Sequence, residues 1–517
     1  MSSSESESLA SAGVQHYGSI QQDSPAHHQK KDIGIVSAVF IIFNRIIGTG
    51  IFATPGAILA LTGSVGLSLL LWLLGTLIAA AGMQTYIVWG TAFPKNGAEK
   101  NYLEYLFPKP AYLTTCIYAA NSSLMGWAAG NSLVFGEYAL KALLGQEPSS
   151  FVLKLTSFVC VTLAFLLHGT MLRWGLRLQN ILGVFKLFVV AIVAATGFFA
   201  LRNGITGGDG LPEDRWRGRE NFRDIWKGTT ASPASICLAL YSVIWSFIGF
   251  SNANYAMSEM RDPARTIKIA GAWAIAVVAV LYLLSNVAYF AGASKDEIIH
   301  SGRLVVSLLM RNIWGEIVER WVNVGVACSA LGNVLAVSFA QGRVNQELGK
   351  EGALPFSQLW ASSWPFNAPL AGLALHWFFC VLIIFFVPPG DTYNFVINMA
   401  SYPLTVINAT ISFGLIYLYL WSPLHTSEGH QYRWHNLSFI TLASTAFFGI
   451  ANLFLFIVPL TKPPPGAEPY EHLPYWIHAA AGWGLFTIGT IWWALRRGRG
   501  WDQADKGAEL HSDYRPL

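Results

Sequence analysis

The sequence predicts an all-α polytopic membrane protein with about twelve transmembrane helices, the first and sixth unwound at mid-membrane. Three observations predict it. Of 517 residues, 53% are hydrophobic and only 12% charged, whereas ordinary soluble domains carry about 25% charged residues. The apolar residues gather into long segments, and a positive mean hydropathy over this length exceeds what one soluble core hides. Two segments, five apart, are interrupted by glycines and polar residues.

In chain order the segments lie near 33–61, 67–92, 112–143, 151–169, 180–200, 233–257, 269–292, 321–346, 369–387, 393–420, 437–460 and 475–496, each long enough to span a ~30 Å hydrocarbon core. Before them, residues 1–32 are polar, lack the apolar stretch of a signal peptide, and read as a disordered tail. After them, 497–517 form a second short tail. The domain between, 33–496, divides into a first repeat at about 33–200, a second at about 233–420, and two further helices at about 437–496. Lys95, Lys100, Lys109, Arg173, Arg177, Arg261, Arg265, Lys268, Arg343, Lys350, Arg496, Arg497 and Arg499 fall on one side of this arrangement. The short loops opposite, near 62–66, 144–150 and 387–391, carry no Lys or Arg. The asymmetry predicts that both termini are cytoplasmic.

In the first segment, Gly48, Thr49 and Gly50 precede Thr54, Pro55 and Gly56; in the sixth, an apolar run through Trp245 turns polar around Gly249. Small residues alone also serve close helix packing, but interruptions at matching positions of two repeats point to a transporter site. Unwinding in lipid frees backbone groups, so the irregular piece must line a polar cavity. The N–H groups after such a break, at the positive end of a helix dipole, suit a carboxylate. The carbonyls before it suit an ammonium group. A pair of breaks therefore fits a zwitterion: Gly48, Thr49, Gly50 and Ile51 for the carboxylate, and the carbonyls of Ile46, Trp245, Ser246 and Ile248, beside Gly249, for the amine.

Gly48-Thr49-Gly50-Ile51-Phe52 resembles the glycine-rich motif of the amino acid–polyamine–organocation (APC) superfamily. The segment with Leu240-Tyr241-Ser242, Asn254, Glu259-Met260 and Asp262-Pro263, and the run Leu348 to Pro355, resemble its L-type amino acid transporter group. Phe43-Asn44-Arg45, Pro94 to Tyr102, Gly126 to Ser132, Tyr241 to Phe247, Pro388 to Asp391 and Leu473 to His478 are similar to the fungal high-affinity methionine permeases of that superfamily. The resemblance runs from about 33 to 495. It implies the leucine-transporter fold, a 5+5 inverted repeat plus two helices. It also implies a plasma-membrane symporter that imports a neutral L-amino acid, methionine first. A broad-specificity exchanger and a non-transporting nutrient sensor on the same scaffold remain the alternatives.

Roles follow from the resemblance. Trp245 matches an aromatic position that covers the substrate from outside, as a thin gate. Lys186 matches a fifth-helix lysine of sodium-independent members, placing an ammonium where sodium-coupled relatives hold a cation; sodium is then disfavoured and a proton becomes the default coupling ion. The same lysine lies near enough to the cytoplasmic end to snorkel instead. Arg45, one turn before the break, either closes an inner gate with Glu259 or Asp262 or sits in a wet vestibule. The side-chain pocket is expected from Asn121, Gly126, Ala129 and Gly130 in the third segment and from Asn398, Met399 and Tyr402 in the tenth. A thioether suits such an apolar, aromatic-edged pocket, and leucine would fit it too. The loop between the third and fourth segments has no cysteine, so no disulfide-linked heavy subunit is expected.

The rival classes are weak. Cys116, Cys160, Cys237, Cys328 and Cys380 lie in apolar stretches without metal-ligand spacing, so neither metal nor cofactor is expected. His168, His376 and His478 stand singly on separate segments, which argues against an enzyme. A net charge of +4 without a dense basic run argues against nucleic acid.

Overall fold

The computed structural model describes residues 33–145, 148–205, 216–388, 390–421, 434–463, 465 and 468–497. The expected tails lie outside the described residues, Arg497 excepted, as do parts of the 144–150 and 201–232 loops and Pro389. Helices dominate, as lipid demands of a backbone that has no water to bond. The first predicted segment comprises α1 (Ile35–Ile46), α2 (Gly50–Ala53) and α3 (Pro55–Thr62). Next come α4 (Val65–Ala92), α5 (Glu99–Leu106), α6 (Leu113–Ser123), α7 (Ala129–Leu144), α8 (Ser150–Thr170) and α9 (Leu172–Asn203). The second half contains α10 (Pro233–Phe247), a 3-10 stretch (Asn252–Glu259), α11 (Pro263–Gly292), α12 (Lys295–His300), α13 (Val305–Trp314) and α14 (Glu316–Lys350). It ends with α15 (Leu370–Phe386), α16 (Thr392–Trp421), α17 (Phe439–Ile457) and α18 (Ile477–Arg496).

Among the described residues nine helical stretches are long and apolar enough to cross a membrane. Their outward faces agree: Leu77, Phe188, Ile192, Trp273 and Ile450 are more than half exposed, a surface that only lipid covers without cost. Nine of the twelve expected segments coincide with these stretches, with shifted ends; those near 112–143, 369–387 and 475–496 are not among them. Helix α9 starts at Leu172 rather than near 180, and α14 runs the full 35 residues from Glu316 to Lys350.

One expectation is corrected. The third segment, read as continuous over 112–143, is broken between α6 and α7. Trp127 donates its indole N–H to the Ser122 carbonyl (3.2 Å), taking an acceptor that an unbroken helix would give to Gly126. A Cβ on Gly126 would lie 2.9 Å from the Phe379 carbonyl oxygen and 3.0 Å from Cys380 Cα. The turn is therefore a place where the α15 backbone comes too close for any side chain.

The loops gather at two ends. At one, Ile33 forms a parallel bridge with Met260, Lys100 pairs with Glu351 at 2.7 Å, and Arg496 donates to the Gly352 carbonyl. At the other, Gly63 packs against Gly228, and Gly56 against Gly302. The break in the first segment lies between these ends.

Candidate functional site

Helix α1 closes with the Ile47 N–H on the Phe43 carbonyl (2.9 Å), and the backbone ladder resumes only where Phe52 and Ala53 donate to Thr49 (3.1 and 2.9 Å). Between them the N–H groups of Gly48, Thr49, Gly50 and Ile51 have no hydrogen-bond partner among the described residues, and all four residues are buried. Four adjacent orphan donors in a protein interior form a site for an acceptor. Glycine is required here for space. A Cβ at Gly48 would strike the Asn333 amide, and one at Gly50 would sit 2.7 Å from Ser246 Cα.

The second break begins where α10 ends at Phe247. Ile248 leaves the helical conformation (φ −55°, ψ 128°) in a turn, and its N–H turns back to the Trp245 carbonyl (3.2 Å). Gly249 follows with φ +114°, a backbone region open to glycine and strained for other residues. Its missing Cβ leaves room for Arg45, whose Cβ would lie 2.7 Å away. The two broken helices thus cross in direct contact, Gly50 on Ser246 and Gly249 on Arg45.

Carbonyls freed by the first break find side-chain donors. An intact helix would offer the Asn44 carbonyl to Gly48 and the Ile46 carbonyl to Gly50. Instead Lys186 Nζ donates to Asn44 O (2.5 Å). The Tyr282 hydroxyl lies 3.0 Å from both Ile46 O and Ser246 O. Of the four carbonyls expected for the amine, that of Trp245 accepts from the Ile248 N–H, those of Ile46 and Ser246 share the single Tyr282 hydrogen, and all three keep free lone pairs. The Ile248 carbonyl accepts none among the described residues.

Behind the break runs a buried amide chain. Thr49 Oγ1 donates to Asn131 Oδ1 (2.6 Å), Asn333 Nδ2 lies 3.5 Å from the same oxygen, and Lys186 Nζ lies 3.4 Å from Asn333 Oδ1. Lys186 is buried and turned into the protein rather than out to the interface. Its hydrogen-bond acceptors are one carbonyl and one amide, with no carboxylate among them.

The expected pocket residues divide. A Cβ at Gly130 would lie 3.2 Å from Val396, so α7 and α16 close together there. Ala129 and Met399 join an apolar cluster with Met125, Val334 and Cys380, and Asn121 is buried with its Oδ1 unpartnered among the described residues. Three others face away from the break. Gly126 packs on α15, Asn398 Nδ2 donates to the Tyr470 hydroxyl (3.1 Å), and the Tyr402 hydroxyl accepts from Trp483 (3.3 Å). Arg45 forms no ion pair with Glu259 or Asp262 among the described residues. Asp262 caps α11 through the Arg265 N–H (3.2 Å).

Sequence reasoning missed Tyr393. It is buried beside Thr49 and half-buried Trp245, and its hydroxyl has no hydrogen-bond partner among the described residues. Also missed was the ion pair in which Arg303 Nε lies 2.8 Å from both Glu137 oxygens. The Arg303 guanidinium stands 5.5 Å from the centre of the Tyr393 ring. Arg303 and Tyr393 form a common wall of two cavities, one of about 330 Å³ beside Pro148 and His300, the other of about 220 Å³ beside Ala53, Thr54 and Ser242. A tyrosine or arginine near a segment end signals only an interface from sequence, which is why neither residue stood out.

Comparison with known proteins gives the family. Residues 33–486 match the amino acid permease family. The high-affinity methionine permease of Saccharomyces cerevisiae is 42% identical over 467 residues, covering 90% of this chain and 79% of that protein. The low-affinity methionine permease of the same yeast is 32% identical, with 85% and 77% covered. The b(0,+)-type amino acid transporter 1 of Rattus norvegicus is 31% identical, with 75% and 76% covered. With orphan donors buried at a helix break and a match over nearly the whole chain, this protein belongs to the amino acid permease family as a multi-pass membrane transporter of amino acids, not an enzyme.

Proposed function

We propose that the protein imports a neutral L-amino acid, methionine first, across the plasma membrane by alternating access and with proton coupling. The observation that carries this reading is the row of four unpartnered N–H groups at Gly48 to Ile51, which Gly50 brings against Ser246 of the sixth segment. It supplies donors for an α-carboxylate, while the carbonyls of Ile46, Ser246 and Ile248 offer lone pairs for an α-ammonium. The orphan hydroxyl of Tyr393 and the indole of Trp245 edge the same region. Methionine comes first because of the 42% identity to a methionine permease.

The architecture behind the reading has twelve spans in the leucine-transporter arrangement. The repeats are at about 33–200 and 233–420, with two added helices at about 437–496. Both termini are cytoplasmic, since the Lys100, Lys350 and Arg496 end is the basic one. Lys186, bound to the carbonyl that the break frees, fills the place of a coupling cation and disfavours sodium. A broad-specificity exchanger of neutral amino acids is the second reading, since a relative named simply as an amino acid transporter stands beside the methionine permeases at 31% identity.

The test is radiolabelled methionine uptake in a transport-deficient yeast, with competing amino acids and with the proton gradient collapsed. Uptake that methionine alone competes strongly, and that falls with the gradient, is expected. Equal competition by every neutral amino acid overturns methionine selectivity, and indifference to the gradient overturns proton coupling.

A further inference from the structure

At the basic end of the molecule, Glu99 is 2% exposed in the first turn of α5. Its carboxyl meets tyrosines and no cation among the described residues. Tyr255, in the 3-10 stretch after the sixth-segment break, donates to Oε2, and the Tyr86 hydroxyl of α4 lies 2.8 Å from Oε1. Tyr102 of α5 and Tyr118 of α6 complete the surroundings. Of the nearby cations, Lys100 pairs with Glu351 at 2.7 Å, and Arg45 lies against Gly249 and interacts electrostatically with Tyr255 rather than with Glu99.

Hydrogen counting decides the state of this carboxyl. Tyr86 has one hydroxyl hydrogen but two acceptors in reach, Glu99 Oε1 at 2.8 Å and Asn408 Oδ1 at 2.9 Å. The orientation of Asn408 is fixed from the far side. Asn452 Nδ2 donates to the Phe448 carbonyl (2.8 Å), so Asn452 Oδ1 faces Asn408 and accepts from its Nδ2 (3.4 Å). Asn408 therefore presents its oxygen to Tyr86 and takes the Tyr86 hydrogen. What Tyr86 offers Glu99 is then a lone pair. Two oxygens facing each other at 2.8 Å need a hydrogen between them, and only Glu99 can supply it.

We propose that Glu99 is a proton-binding site, loaded in this conformation and emptied to the solution at the basic end when the 252–259 stretch moves away. Burial also holds its carboxyl above the ordinary carboxylate value, against the lowering pull of the hydrogen bond that Tyr255 donates. The site joins six elements: α4, α5, α6, α16, α17 and the stretch just after Gly249. That stretch moves with the sixth-segment break, and through the Met260 bridge it is tied to Ile33 at the start of α1. Release breaks one O–H bond, and the proton passes to water; no other covalent bond changes. Since the packed state holds the proton more tightly than an opened one, acid on that side favours the packed state. Rising pH through the range between the ordinary and the raised value favours opening.

The inference deepens the proton coupling proposed above, and its first test needs no transport. Infrared spectra of the purified full chain at neutral pH should show a protonated-carboxyl band that Glu99→Gln removes. Absence of the band, or its survival in the variant, overturns the proposal. In proteoliposomes, one proton changes net uptake by at most about tenfold per pH unit, and Glu99→Gln should flatten that dependence. Counterflow, which needs no net proton movement, should fall less than net uptake. A wild-type pH profile in the variant overturns the proposal. Tyr255→Phe, which removes a donor to the ionised form, should move the midpoint to more alkaline pH, and an unmoved midpoint counts against the site. Failure of wild-type protein to carry methionine at all refutes the substrate reading and leaves the infrared result standing.

Discussion

At the scale of single residues, the site depends on what is left without a partner. Gly50→Ala would put a methyl group against Ser246 and force apart the two broken segments. A hydrogen bond to a charged group contributes about 1.5–3 kcal/mol. Losing one donor to the carboxylate should therefore weaken methionine binding roughly ten- to a hundredfold, read by equilibrium binding to purified protein. Tyr393→Phe removes a hydroxyl that no described residue satisfies. Its melting temperature should hold or rise while KM for uptake increases; a fall in stability with unchanged KM would mean the hydroxyl is structural. The glycines and Lys186 were legible in the sequence because they are anomalies in an apolar stretch. Tyr393, Asn131 and Asn333 were not, since a Tyr or Asn inside a membrane helix reads equally well as a packing or inter-helix contact until its neighbours are known.

Among the elements, the two expected breaks recur and a third appears. The first two announce themselves by polar residues next to glycine. The third, at 124–128, hides in Gly126 and Trp127, whose meaning depends on the closeness of α15 and on an indole reaching Ser122. No periodicity along one helix encodes either. The breaks also differ in what they require of glycine: Gly48 and Gly50 need space, whereas Gly249 needs a positive φ as well. Gly249→Ala should therefore cost about 1–2 kcal/mol from the backbone alone, before the collision with Arg45. The melting temperature of the detergent-purified variant should drop clearly, while Gly484→Ala, a position with nothing within 4 Å of its Cβ, should melt as the wild type does. A helix end such as that of α14, by contrast, was misplaced because polar residues continue the helix beyond the apolar window.

For the whole molecule, the basic end is packed shut around Glu99, Tyr255 and the Ile33–Met260 bridge, while the cavities lie toward the Arg303 end. Neighbouring paired strands lie about 4.7–4.9 Å apart, within the span of a disulfide. A double variant with Ile33→Cys and Met260→Cys should therefore oxidise readily and lose uptake, and reduction should restore it. The five native cysteines, four buried and one half-buried, give a low background. Uptake that survives oxidation would show that this end need not open. That the chain crosses a membrane several times was legible at this scale because composition reports directly on the solvent. Which end is packed was not, since both states of a carrier share one sequence.

The Tyr282 hydroxyl has a consequence for the cycle itself. One hydrogen stands between the carbonyls of Ile46 and Ser246, bridging the two breaks. An arriving ammonium brings three hydrogens to the same oxygens, so the tyrosine serves as an internal stand-in for the cargo. A carrier with its own stand-in can make the return journey unladen, and the rate of that return is what separates one-way accumulation from obligatory swapping. Tyr282→Phe should therefore slow one-way methionine accumulation several-fold more than counterflow, turning an importer toward an exchanger; an equal slowing of both would assign the hydroxyl to the laden half of the cycle instead.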